Sequence, residues 1–297
     1  PDWPGCYGEM IPTTIDSEAA NMEFPERPLE TDKAWKEMVH RYVAATLGFA
    51  IVLIAWFAWR NRATVNQPVK IPLLTLGVVI FQGLLGMWTV TLLLKPVIVM
   101  GHLIGGLTTL ALLVWLWLEH ERNPVGGPAV VRSFAWPAAI GLFVLGCQIA
   151  LGGWTSSNYA ALACPDLPTC LGQWWPEQAD FGEGFVMWRG LGVNYEFGIL
   201  EAPARVAIHF AHRLGAITAT LVLLAVTIFY LRRHPGNTQV KNACLLVWAA
   251  LATQVCLGLA TVYWGLPLPI ATAHNGVAAL LLISMINLNH VAAALPR

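Results

Sequence analysis

Charge is what this chain has least of. Asp, Glu, Lys and Arg make up 11% of its 297 residues, and the two signs cancel at 17 each. No electrostatic footprint is left for nucleic acid or for an acidic partner. So little charge beside 57% hydrophobic residues and 14 Trp excludes a soluble domain with a buried core and describes a polytopic membrane protein. No flavin, nicotinamide or second-metal motif is evident, so no such cofactor is implied. Obvious helix breaks at mid-membrane are also missing, which weighs against a transporter built around broken helices.

Long apolar runs are what the chain does have. Stretches able to cross a hydrocarbon core of roughly 30 Å lie at about 37–59, 72–94, 96–118, 134–156, 205–231, 242–264 and 268–291. The fold class is therefore an all-α membrane protein. Lys and Arg in the short loops set its orientation. Arg60, Arg62 and Lys70 flank one turn, Arg122 and Arg132 the next, and Arg232, Arg233 and Lys241 the third. These loops are assigned to the cytoplasmic side. The opposite side carries two long segments, 1–36 and 157–203, and short turns at Lys95-Pro96 and Pro267-Leu-Pro269.

The chain repeats internally. His40 and His212 are 172 positions apart, as are His102 and His274. Gln82-Gly-Leu-Leu-Gly-Met-Trp-Thr-Val90 aligns at the same offset with Gln254-Val-Cys-Leu-Gly-Leu-Ala-Thr-Val262, and Gln148-Ile-Ala-Leu-Gly-Gly-Trp-Thr155 is a third copy. Cys164-Pro-Asp-Leu-Pro-Thr-Cys170-Leu-Gly172 matches the segment from Pro1 to Cys6 and Gly8, except that its first Cys would precede Pro1. The expected architecture is two pseudo-symmetric four-helix bundles, residues 1–132 and 133–297. An eighth helix and the partner of Cys6 are expected before Pro1. An oxidising outer compartment permits disulfides, so Cys164 and Cys170 are a candidate pair. Cys147, Cys244 and Cys256 lie in apolar helices and read as packing residues.

His40, His102, His212 and His274 fall in the early turns of inward-running helices, at similar depth near the outer face. Lone intramembrane histidines are uncommon and usually functional. Two of them on neighbouring helices can ligate one iron from both faces, and bundle cores hold such cofactors. The pattern suggests two heme sites. The competing reading is four interfacial histidines bonded to neighbours or headgroups. His120, His234 and His290 lie in or near cytoplasmic turns and read as solvated. Zinc fits less well, since structural zinc wants four close ligands.

The halves differ three residues before a histidine. Glu37 precedes His40, and His209 precedes His212. Residues at i and i+3 share a helix face, so each points to the cavity of its histidine. A desolvated Glu can exchange protons near neutral pH. A helix-start carboxylate is also favoured by the dipole. Arg41 and Arg213 follow the histidines, and either heme propionates or lipid phosphates could be their partners.

These residues together resemble the heme A synthase family. The carriers are Cys164-Pro-Asp-Leu-Pro-Thr-Cys170 and its copy ending at Cys6, Glu37-Met-Val-His40-Arg41, Gly101-His102, His209-Phe-Ala-His212-Arg213-Leu-Gly215 and Ala273-His274-Asn275. The match spans essentially the whole chain. The resemblance implies eight helices in two halves and oxidation of the C8 methyl of heme O to the formyl of heme A. It implies heme b as cofactor on His212 and His274, with His209 and Arg213 beside it. His40, His102 and Arg41 would line the substrate heme, with Glu37 as the catalytic carboxylate. Disulfides of the loop cysteines are likewise implied, Cys6 with a cysteine before Pro1. Implied partners are membrane lipid, a heme O synthase, an electron acceptor and a second copy of the chain. The implied location is the bacterial cytoplasmic membrane, with the cysteine loops outside. A diheme b-type cytochrome passing electrons from quinone is the alternative, which gives Glu37 no special role.

Overall fold

Among the described residues seven long helices carry the fold, and their ends follow from local chemistry. The computed structural model describes residues 2–25, 27–64, 66–122 and 133–295. The helices are α1 Ser17–Glu23, α2 Thr31–Arg60, α3 Lys70–Thr91, α4 Pro96–Arg122, α5 Trp136–Ser157, α6 Phe181–Gly184, α7 Ala202–Arg233, α8 Thr238–Tyr263 and α9 Leu268–Ala293. All but α1 and α6 are long and apolar enough to cross a membrane. Each expected span lies on one of these seven.

Proline opens α5, α7 and α9 at a position where its missing N–H costs nothing. Asn237 caps α8 by accepting from the Val240 N–H. Arg60, Arg122, Arg232 and Arg233 occupy last turns, where cations oppose the helix dipole. The turns after α3 and α8 are built alike. Leu93 and Leu94 take positive φ in one, Gly265 and Leu266 in the other. Arg132 falls among residues 123–132, outside the described residues.

In the C-terminal half, α5 packs on α7 and α9, and α8 packs on the same two helices. These four form a closed ring. Leu223, Val247, Leu281 and Met285 are fully buried at its core. In the N-terminal half, α3 packs between α2 and α4, while α4 also packs on α5 and α9. The wide apolar faces of α2 (Val43, Leu47, Phe49 and Trp56) are exposed in the chain alone. Acyl chains would cover them in a bilayer.

Two expectations need correction. His290 is not solvated: it is 0% exposed. Its Nε2 lies 3.1 Å from Glu119 and its Nδ1 2.7 Å from Arg122. It sits where α9 of one half crosses α4 of the other, so its partners come from far along the chain. Cys244 is buried as expected, but Cys147 and Cys256 are exposed. A helix that faces lipid is apolar on both sides, so apolar context did not distinguish packing from exposure.

Candidate functional site

The two long loops at the histidine end of the helices are folded in the same way. Asp166 accepts from the backbone N–H of Leu171 and Gly172 and from the Thr169 hydroxyl. Asp2 accepts from the N–H of Tyr7 and Gly8 in the other copy. Both loops place a non-glycine residue and then a glycine at positive φ, Leu171-Gly172 and Tyr7-Gly8. The bonds to Asp166, the Thr169 hydroxyl first, hold its carboxyl down at about 2. Cys164 and Cys170 form a disulfide, as expected. Cys6 is buried at the matching place of the other loop.

An arginine from a membrane helix ties down each loop. Arg213 donates to the carbonyls of Cys164, Asp166 and Thr169. Arg41 donates to those of Asp2, Pro4 and Gly5. Both guanidiniums therefore reach loop carbonyls, a use that was not foreseen beside propionates and lipid phosphates. Arg213 Nε is buried and keeps no partner among the described residues.

Below the loops come the histidines. His40 on α2 and His102 on α4 face each other with ring centroids 6.3 Å apart. That separation suits two imidazoles flanking one metal ion at about 2 Å from each nitrogen. On the other side, His212 on α7 and His274 on α9 hold the corresponding positions of the repeat. His102 Nδ1 and His274 Nδ1 are buried with no hydrogen-bond partner among the described residues. Unpaired ring nitrogens in a dry bundle are costly unless something ligates them. The facing pair His40 and His102 thus fits a heme iron. No three His, Cys, Asp or Glu side chains converge as metal ligands among the described residues.

The repeat-breaking pair is also resolved. Glu37 accepts from Arg41 one turn further along α2. His209 is 4% exposed, and its Nδ1 accepts from the backbone N–H of Cys164 at 3.1 Å. His209 therefore anchors the disulfide loop, while Glu37 is held by an arginine that also grips its own loop.

The Gln-x-x-Leu-Gly-x-x-Thr segments, which the sequence showed as a repeat, supply contacts to the histidines. A Cβ on Gly86, Gly152 or Gly258 would lie 3.3, 3.2 or 3.1 Å from Cε1 of His102, His212 or His274. Each of these rings rests on a glycine of a neighbouring helix. The signal was in the spacing, since Gln and Gly at i and i+4 share one face.

Fold and site together define a multi-pass membrane protein that carries paired histidines under loop covers. A family model described as cytochrome oxidase assembly protein matches residues 1–286. A heme A synthase of Shewanella oneidensis is 45% identical over 294 residues, covering 98% of this chain and 86% of that protein. The heme A synthase of Halalkalibacterium halodurans is 26% identical over 286 residues, 95% and 83% of the two chains. That of Mesorhizobium japonicum is 30% identical over 257 residues, 84% and 66%. The chain belongs to the heme A synthase family.

Proposed function

We propose that this protein is a heme A synthase, oxidising the C8 methyl of heme O to a formyl group by successive hydroxylations and loss of water. The observation that carries the reading is the facing pair His40 and His102, 6.3 Å apart, with a carboxylate three residues before one of them. In this reading residues 1–132 form the substrate half and residues 133–297 the cofactor half. His40 and His102 bind the substrate heme, with Arg41 holding the loop above it. His212 and His274 hold heme b, which when bound would supply electron transfer. Arg213 and His209 keep the disulfide loop closed over that half and limit the entry of water.

Each hydroxylation of a methyl takes its oxygen from water and releases two electrons and two protons. Glu37 is the group beside His40 that can accept a proton or place negative charge near the reacting carbon. Electrons pass to a membrane partner or quinone. The cysteine loops lie on the outer face of the bacterial cytoplasmic membrane, by the basic residues of the opposite loops. A heme O synthase and a second copy of the chain are candidate neighbours.

The test is pigment extraction after expression with and without a heme O source. Heme b with heme O or heme A derivatives is the expected content. Two hemes b and no change on adding the heme O source would identify a diheme electron carrier instead.

A further inference from the structure

The glutamines of the repeated segments have no part in that mechanism, yet they meet the histidines directly. Gln148 Nε2 lies 3.0 Å from His212 Nδ1 and 3.1 Å from the His212 carbonyl oxygen. Gln254 Nε2 lies 3.3 Å from His274 Nε2. The ring edges explain how these contacts are set. The Cβ position of Gly152 is 3.2 Å from Cε1 of His212 and 3.9 Å from both of its nitrogens. The ring stands with its Cε1 edge on the glycine and one nitrogen to each side. The amide of Gln148 takes the Nδ1 side. Nε2 is left on the other side of the ring.

Space for that amide is also built in. A Cβ on Gly215, one turn after His212, would lie 2.2 Å from Gln148 Oε1. Gly105 stands in the same relation to His102, and a Cβ there would lie 1.7 Å from Gln82 Nε2. The glycine of His212-Arg213-Leu-Gly215 thus gives the glutamine its seat.

We propose that Gln148 is a positioning residue for a metal-bound His212: its amide turns the ring so that Nε2 faces the iron and hydrogen-bonds the nitrogen left over. The proposal rests on the reading of His212 as a heme ligand. A metal on Nε2 takes that lone pair, so Nδ1 carries the proton and needs an acceptor. Gln148 Oε1 is buried without a partner among the described residues. Amide O and N exchange places by rotation. Rotation gives up the amide's bond to the His212 carbonyl, brings Oε1 to the Nδ1 proton and makes the imidazole a more electron-rich ligand.

The experiment compares purified wild-type protein with Gln148→Leu and Gln148→Glu, reading the low-spin heme spectrum, heme retention and midpoint potential. Leu keeps the bulk and removes the acceptor. It should weaken heme retention about tenfold and raise the potential. Glu keeps an acceptor and strengthens it, so the potential should fall below wild type. Wild-type retention and potential in both variants would overturn the proposal. If Gln148→Leu does not fold, Gln148→Glu decides alone: a lowered potential supports the assignment and an unchanged one removes it. The heme reading itself is tested separately by His212→Ala. A heme spectrum unchanged in that variant sinks the ligand assignment, whatever the glutamine variants do.

Discussion

Glu37 and His209 occupy one position of the repeat and have diverged in use. His209 gives its Nδ1 to a backbone N–H of the disulfide loop. Glu37 keeps a carboxylate on the face of His40, paired with Arg41. Glu37→Gln preserves the shape and can still accept from Arg41, but it removes the charge. Heme A formation should drop on the order of a hundredfold or more, the range expected for losing a positioned acid–base group, while the heme b spectrum stays as in wild type. Wild-type turnover in that variant would reduce Glu37 to a helix-start carboxylate. Asp166 offers a pH test on the other loop. Its folded pKa is held down at about 2, so its support of the loop is in full force above the ordinary value of 3.8 and is lost as pH falls through about 2. Protection of the Leu171 and Gly172 amides, taken relative to intrinsic exchange at each pH, should therefore hold down to about pH 4 and fall below it. In Asp166→Asn the same amides should exchange faster already at neutral pH.

At the scale of helices, α5 carries two glycines that predict opposite outcomes. Nothing lies within 4 Å of a Cβ on Gly146, whereas one on Gly152 meets the His212 ring at 3.2 Å. Gly146→Ala should leave the heme spectrum unchanged and stabilise α5 by roughly 0.5–1 kcal/mol. Gly152→Ala should displace the ring and alter the low-spin spectrum. Equal spectra in the two variants would show that the glycine is not what seats His212. The sequence made the seven spans, the loop pairing of Cys164 with Cys170 and the four histidines legible, because each is a local pattern or a repeat. It hid the burial of His290, whose partners Glu119 and Arg122 lie on α4, far away in the chain. It hid the loop-gripping role of Arg41 and Arg213 for the same reason. The exposure of Cys147 and Cys256 was hidden by the uniform apolarity of helices that face lipid.

Across the whole molecule the two halves are joined at both ends. At the inner end, Glu119 and Arg122 of α4 meet His290 of α9, and Arg122 also donates to Asn287. At the outer end, the turn between α3 and α4 is held by the long loop of the other half. Tyr195 donates its N–H to the Leu93 carbonyl. Lys95 is 1% exposed, its Nζ 2.6 Å from the Arg189 carbonyl and 3.6 Å from the centroid of Trp188. A buried ammonium is tolerated only when it is paired in this way. Lys95→Met keeps the length of the side chain and removes both interactions, at a cost of about 1.5–3 kcal/mol for a hydrogen bond to a charged group. The segment around Arg189 should then open to added trypsin, while the α5 and α7 helices stay intact. With the proposed orientation, cleavage should occur in right-side-out vesicles and not in inverted ones. Cleavage only in inverted vesicles would reverse the orientation. An uncut segment with an unchanged melting temperature would show that Lys95 does not clasp the halves.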